Sequence, residues 1–529
     1  MKSISQNDLQ ELISKNLFIS VSAKIFYVFT RLFIPPLALS FVTLEEYGLW
    51  AICFVIISYF NLGAFGVANV YIRYVASYHA TNEINKINGL VSTGIVLVTI
   101  INFMFLLALL FLLPTLIENI FTISPTRHAT AFLLFYGTAC IFLFALSFNA
   151  FIHILNGLQK IAETALVGIF CLILEIIFLV IFFLSGFGIL SLLYAFIIRT
   201  LLSLIIYIYL SSYYLPGLSI GFTHFDRSYF KLFYRFGAIV QFSSILGLIL
   251  RTIDKLMTST VLGMKATALI DLGTKLPTVA TSITGSMDVV FLPAISYMHS
   301  QQRYAEIINT YLRGSRTISL LIGIIMGFLA AFSMPLVVGW LGTAEKYQIV
   351  AIILAFFTLP MQLHALTGTG TAYFRGIEKP MMTLIYSGGR LLLVGIIALL
   401  IFSWFEITIF NIAMIMVLAT ALGALFYIGY TVNFIGIPLL KYVTQVMLPG
   451  FVIPYGIAHL LFWLLTPWAN LAMEDRWYAI GFIVVSGIIY VVLTLSAFYW
   501  GILTSEEKQR LHQQVNKFGR LFSKKANHV

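Results

Sequence analysis

Eleven charged residues stand inside runs that are otherwise apolar: Lys24, Arg31, Glu175, Arg199, Arg251, Asp254, Lys255, Asp271, Lys275, Asp288 and Arg390. A charge at the centre of a bilayer costs about 2.5–3.5 kcal/mol on insertion scales, so such residues face a wet cavity or a partner rather than lipid. Their spacing is ordered. Lys24 and Arg31 lie two helical turns apart and share a face. Arg251, Asp254 and Lys255 share another, and Asp271 reaches Lys275 at i+4. Basic residues outnumber acids in this set, a balance that suits a bound anion. The candidate substrate contacts are Arg31, Arg251, Lys24, Lys255, Lys275 and Arg390, with Asp254 and Asp271 as candidates for coupling to an ion. No catalytic group, metal site or cofactor is expected. Asn149, His153 and Asn156 form a polar stripe for which sugar contact and interhelical hydrogen bonding are both open, whereas the lone His364 reads as a packing residue.

The elements that must carry these charges follow from composition. The chain of 529 residues is 60% hydrophobic and 10% charged, with mean hydropathy +0.99. Soluble domains carry about a quarter charged residues, so this is a polytopic membrane protein. No polar stretch is long enough to build a separate soluble core. Runs of about 20 apolar residues match a hydrocarbon core about 30 Å thick. Strand alternation is absent, so the spans are helices, about fourteen between residues 17 and 503.

Loop charge sets an orientation. With a cytoplasmic N-terminus, one set of loops carries Arg73, Lys86, Lys160, Arg227, Lys231, Arg235, Arg303, Arg313, Arg316, Arg375, Lys379 and Lys441. Only Arg127, Lys265, Lys346 and Arg476 fall in the other set, beside Glu45, Glu46, Glu118, Glu345, Glu406, Glu474 and Asp475. Both termini are therefore expected in the cytoplasm. The formal charge of +11 is scattered over short loops and one tail rather than gathered in a patch, which argues against nucleic acid. In that tail, Leu511, Val515, Phe518 and Phe522 recur at helical spacing among Lys and Arg, the pattern of an interfacial helix on anionic lipid. Cys53, Cys140 and Cys171 fall within apolar spans and read as small buried hydrophobes.

The chain also repeats itself. "ILNGLQK" ending at Lys160 returns as "YFRGIEK" ending at Lys379, an offset of 219 residues; "VASY" ending at Tyr78 returns as "AISY" ending at Tyr297, again 219; Arg31 finds Arg251 at 220. Two related halves of six spans each follow, in parallel orientation because an even number of spans separates the copies. The expected divisions are 1–212, 213–438, two appended spans over 439–504 and a basic tail over 505–529. The two "G-x-x-K" turns read as architecture, with glycine supplying the left-handed or tight backbone and lysine holding the turn to the cytoplasmic side.

"LEEYGLWAICFVIISYFNLGAFGVANVYIRYVASY" resembles the second span of bacterial polysaccharide-export proteins, and "RTIDKLMTSTVLG" followed by "LPAIS" is similar to their seventh and eighth spans. These are the lipid-linked oligosaccharide flippases of the multidrug/oligosaccharidyl-lipid/polysaccharide exporter superfamily. The resemblance implies two six-helix lobes around a central cavity that opens alternately to either side. It also implies a substrate, undecaprenyl-pyrophosphate-linked oligosaccharide, on its way to O-antigen, capsule or exopolysaccharide. "LIDLGTK" departs from the family by placing Asp271 and Lys275 where an aromatic residue often stands. The expected partners are this lipid-linked oligosaccharide, a coupling ion, membrane lipids and a polysaccharide polymerase. Because Arg31 and Arg251 occupy matching places in the repeat, they are expected to face each other from opposite walls of the cavity.

Other functions share some of these features. An ion-coupled multidrug exporter would have an acidic, aromatic cavity. A peptidoglycan-precursor flippase would handle a related lipid. A polytopic polysaccharide polymerase or ligase would carry a large polar periplasmic loop. The sequence shows no Walker or glycine-rich phosphate loop for ATP hydrolysis.

Overall fold

The structure is a computed structural model that describes residues 6–60, 67–284, 288–503, 505 and 508–509. The amphipathic tail with Leu511, Val515, Phe518 and Phe522 lies outside the described residues, as does the Asp288 side chain. In chain order the helices are α1 (Gln6–Leu39), α2 (Leu44–Phe60), α3 (Val67–Ala80), α4 (Ile84–Thr115), α5 (His128–Ser147), α6 (Ala150–Gly157) and α7 (Ile161–Leu184). There follow α8 (Leu190–Tyr214), α9 (Phe230–Val261), α10 (Met264–Thr284), α11 (Asp288–Ser300), α12 (Tyr304–Ala331), α13 (Ser333–Leu341) and α14 (Ala344–Gly376). The chain closes with α15 (Met381–Trp404), α16 (Ile409–Ile435), α17 (Leu439–Tyr442), α18 (Leu448–Leu464), α19 (Thr466–Glu474) and α20 (Arg476–Gly501). Among the described residues, eleven helical segments are long and apolar enough to cross a membrane. The protein is a multi-pass, all-helical membrane protein, as its composition requires.

Packing divides the chain into two compact units, one of residues 1–275 with 381–419, the other of 276–380 with 420–529. In the first, α9, the beginning of α10 and α15 join α1–α8. Lipid gives helices no hydrophobic reason to associate, so close backbone approach and interhelical hydrogen bonds must do it. Gly94 lets the Tyr71 and Phe233 rings lie against α4. Deep in the same unit, the Asn102 side-chain amide donates to the Leu143 carbonyl at 3.0 Å and to Ser147 Oγ at 2.9 Å.

The second unit shows the same device. Gly323 and Gly450 bring α12 and α18 into backbone contact, and Gly327 lies against Pro454 one turn further on. Gln362 from α14 donates to the Gly450 carbonyl at 2.8 Å, and the Tyr490 hydroxyl from α20 donates to Ile324 O at 2.9 Å. The two spans that follow the repeat are thus sewn into this unit through α12.

Four helix ends carry the repeat into three dimensions. Helices α3 and α11 end with Asn82 and Gln302 in the left-handed region, at φ of 58° and 57°. The next backbone N–H closes each turn, Glu83 to Tyr78 O at 2.8 Å and Arg303 to Met298 O at 3.0 Å. Helices α6 and α14 end the same way, with Gln159 at φ 62° and Glu378 at φ 61°. Their closing bonds run from Lys160 to Leu155 O at 2.9 Å and from Lys379 to Phe374 O at 2.7 Å. All four are six-to-one closures of the Schellman type.

This corrects the expectation about the glycines. The left-handed residue stands two places after Gly157 and Gly376, which remain helical. What fixes those glycines is close approach. A Cβ on Gly157 would meet Ile72 O at 3.1 Å, and one on Gly376 would meet Ile295 Cγ2 at 2.7 Å. Each copy of the turn therefore lies against its own copy of the "VASY/AISY" helix.

A candidate anion site in a buried ion cluster

The start of α2, the junction of α9 with α10 and the loop after α4 meet at one end of the first unit. Thr43 begins α2 with a capping box: its N–H donates to Glu46 Oε2 at 2.8 Å, while the Glu46 N–H donates to Thr43 Oγ1 at 3.3 Å. Arg127 clamps the same turn, at 3.4 Å from Glu45 and 2.6 Å from Glu46. Gly48 lets α2 lie against the Met264 carbonyl. Thr122 donates its N–H to Ser259 O and its hydroxyl to Thr260 O, each at 3.0 Å.

Tyr47 is fixed by these contacts, only 2% exposed, one turn into the helix. Its hydroxyl donates to Asp271 Oδ2 at 3.0 Å and accepts from Lys275 Nζ at 2.8 Å. Asp271 uses both oxygens: Oδ1 is 2.6 Å from Lys255 Nζ and Oδ2 is 2.8 Å from Lys275 Nζ. One buried carboxylate thus holds two ammonium groups and a phenol. On α9, beside Lys255, Asp254 is buried, and its Oδ1 has no hydrogen-bond partner among the described residues. Arg390, from α15, is also buried and lies within electrostatic reach of Tyr386, Asp254 and Arg251. Tyr59 and Thr252, 2.8 Å apart, tie α2 to α9 beside Arg251.

Six of the charged residues singled out in the sequence therefore gather here: Arg251, Asp254, Lys255, Asp271, Lys275 and Arg390. Arg31 does not join them. It lies 3.3 Å from Glu175 on α7, with its guanidinium 5.0 Å from the Tyr27 ring. Arg199 of α8 approaches the same Glu175 oxygen at 3.5 Å. Among the described residues, Arg31 has its contacts with Glu175 and Tyr27 and none with Arg251. Lys24 is exposed on α1.

The polar stripe divides as well. Asn149 and His153 line a cavity of about 190 Å³ with Tyr71 and Ser147. Asn156 instead accepts from Thr164 Oγ1 at 3.2 Å. Charge alone did not reveal Tyr47. Its signal was position: it stands in "LEEYGLW", at the mouth of a span.

Against known proteins, a family model described as "Polysaccharide biosynthesis protein" matches residues 13–299. The chain belongs to this family. No curated protein sequence matches it. Among solved structures, an inward-facing multidrug resistance MATE family transporter of the MOP superfamily aligns with a TM-score of 0.64 at 14% identity, covering 80% of this chain and 98% of its own. Lipid II flippase MurJ in an inward closed conformation aligns with the same TM-score at 16% identity, covering 92% of this chain and 98% of its own. A MOP superfamily transporter from Pyrococcus furiosus, described by a reverse polarity of its binding pocket, aligns at 0.56 and 16% identity, covering 80% and 95%. These likenesses establish the fold that the chain shares with these proteins.

Proposed function

We propose that the protein is a flippase that moves an undecaprenyl-pyrophosphate-linked oligosaccharide across the bacterial inner membrane by alternating access, for surface polysaccharide biosynthesis. The observation that carries this reading is the charge of this cluster, in which Asp254, Asp271 and Arg390 are buried, the two lysines half-buried and Arg251 exposed. Arg251, Lys255, Lys275 and Arg390 stand against Asp254 and Asp271, leaving two positive charges. A pyrophosphate esterified at both ends, to a lipid and to a sugar, carries two negative charges. Guanidinium and ammonium donors in a partly dehydrated site bind such oxygens about twice as strongly as neutral donors would. Family membership in polysaccharide biosynthesis supports the same substrate class. Arg31 and Lys24 are further substrate contacts in this reading, and Asp254, with its unpartnered oxygen, is the coupling carboxylate. The basic loops and both termini face the cytoplasm, which places the Tyr47 end of the first unit on the periplasmic side.

One observation favours a closely related reading. The MurJ structure, which is that of a lipid II flippase, covers 92% of this chain, including length beyond the 80% covered by the MATE structure. The cluster recognises a pyrophosphate and is indifferent to the glycan beyond it, so a peptidoglycan precursor would satisfy it equally.

The test is complementation. Cells lacking the protein should lose surface polysaccharide and hold its lipid-linked precursor on the inner leaflet, and the native chain should restore export. The double variant Lys255→Met/Lys275→Met, present at native level, should not restore it. Normal surface polysaccharide in the deletion strain, with failure of growth or peptidoglycan synthesis instead, would move the assignment to the precursor flippase.

A further inference from the structure

Lys255 and Lys275 are both anion ligands of the cluster, yet both are already occupied, by the same carboxylate. We propose that Asp271 is a built-in substitute for the substrate's phosphate. It holds the two lysines while the Tyr47 end is shut, and a phosphate that takes those lysines from it leaves Tyr47 a single hydrogen bond, to Asp271, and so loosens that end enough to open. The inference rests on the flippase reading above and adds to it how the bound lipid would drive the opening.

Three observations support it. First, Asp271 is bonded on both oxygens, so its hold on Tyr47 and its hold on the lysines are one structure: the oxygen that accepts from the Tyr47 hydroxyl also takes Lys275. Lys275 in turn donates to the Tyr47 oxygen. Anything that draws Lys275 away breaks two of the three bonds in this triangle. Second, Tyr47 belongs to the first sequence half and Lys255, Asp271 and Lys275 to the second, so within the first unit the triangle ties together helices that alternating access between those halves would have to part. The bonds that tie the loop after α4 to α9 beside it, Thr122 to Ser259 and Thr260, are neutral. Third, the exchange leaves neither half-buried lysine unpaired. Breaking a buried pair by removing one partner is strongly unfavourable, whereas replacing aspartate by phosphate keeps both ammonium groups neutralised, and the freed Asp271 meets water as α2 withdraws. A solute without an anionic head cannot perform the exchange, so the same device selects the substrate class.

The experiment uses the full-length purified chain with Cys53, Cys140 and Cys171 replaced by Ala and a single reporter, Ser259→Cys. Ser259 is fully buried against Thr122 in the shut form. Farnesyl pyrophosphate serves as the lipid pyrophosphate probe and farnesol as its uncharged control. Farnesyl pyrophosphate should speed maleimide labelling at position 259 and farnesol should not. Asp271→Asn should label fast without any probe and bind farnesyl pyrophosphate more tightly by about fivefold or more, the low end of ordinary coupling between sites. Tyr47→Phe, which keeps the ring and loses only the hydroxyl, should also label fast without probe, and it decides the matter if the aspartate variant does not fold.

Unchanged or weaker probe binding by Asp271→Asn, together with slow labelling of Tyr47→Phe, would overturn the exchange. The lysines separate the two levels of inference. If Lys255→Met and Lys275→Met lose probe binding while Asp271→Asn binds as the native chain does, the pyrophosphate site stands and the exchange falls. If the lysine variants bind the probe normally, the site falls with it.

Discussion

Tyr47 and Asp271 lie 224 residues apart in the chain and 3.0 Å apart in space, joined by a hydrogen bond that both lysines of the cluster reinforce. A phenol and a carboxylate, the one neutral and the other charged, set the register between α2 and α10 within the first unit. The other contacts described here allow the following expectations.

The helix ends at Gly157 and Gly376 separate two effects of glycine. Gln159→Gly and Glu378→Gly remove a left-handed side chain and should each stabilise the protein, by up to about 1 kcal/mol. Gly157→Ala and Gly376→Ala should destabilise it, the second more, because Ile295 lies closer than Ile72 does. Thermal unfolding of the four purified variants in one detergent checks the signs.

Glu46 should give the α2 turn a pH dependence. Burial alone would raise its carboxyl, but the Thr43 N–H, the Arg127 guanidinium and the Thr43 hydroxyl outweigh burial and hold it below the ordinary 4.5. A carboxyl lowered on folding contributes stability that is complete above its unfolded value and is lost as pH falls through the folded one. The unfolding temperature of the native chain should therefore drop more than that of Glu46→Gln below about pH 4.5. Thr43→Ala should cost about 1 kcal/mol at neutral pH, as loss of an N-cap does.

Gly323 and Gly450 should tolerate no side chain. Alanine at either forces α12 and α18 apart at a backbone contact, and overpacking of this kind costs about 1–3 kcal/mol. Gly456→Ala, on the same helix with open space around it, should be neutral. Yield of monodisperse protein and its unfolding temperature distinguish the sites.

Arg31 and Arg251 should fail differently. Arg31→Ala leaves Glu175, buried at 4% exposure, with Arg199 as its remaining guanidinium, and should lower stability as well as export. Arg251→Ala should lose export with the fold intact, and Arg251→Lys should recover part of it, because lysine keeps the charge and loses the fork. Paired assays of unfolding temperature and surface polysaccharide check this.

Asp254→Asn should flatten the response of transport to an imposed proton gradient. Transport in vesicles at matched and mismatched pH measures it. An unchanged response would make Asp254 a counter-ion for its basic neighbours.

Much of this was legible because membrane helices announce themselves. Where about fourteen spans are expected, eleven helical segments among the described residues are long and apolar enough to cross a membrane, and the 3.6-residue period places Asp271 one turn from Lys275. The i+4 pair is local, and local geometry can be read from spacing. Lys255 on Asp271 crosses a helix junction, and Arg31 on Glu175 crosses two helices. Spacing contains no information about such pairs, although embedded charges of opposite sign are an invitation to look for them. Tyr47 was harder still, since an uncharged aromatic at the mouth of a span is what any membrane helix carries. The glycine turns misled for a different reason. The glycines are needed for a neighbour that lies some eighty residues away in each half, whereas the strained backbone falls on Gln159 and Glu378, which nothing local marks.

Because α18 approaches α12 through glycine and serine backbone, the two spans that follow the repeat cannot be treated as removable. A chain stopped near residue 438 would present to lipid a groove floored by Gly323, Gly327 and Ser319, with Gln362 facing it, its 2.8 Å bond to the Gly450 carbonyl lost and only the longer 3.5 Å approach to Ser319 O left. Acyl chains fill such a narrow cleft poorly and offer nothing to an amide. Any attempt to shorten this protein to twelve helices would first have to rebuild that surface with larger apolar side chains.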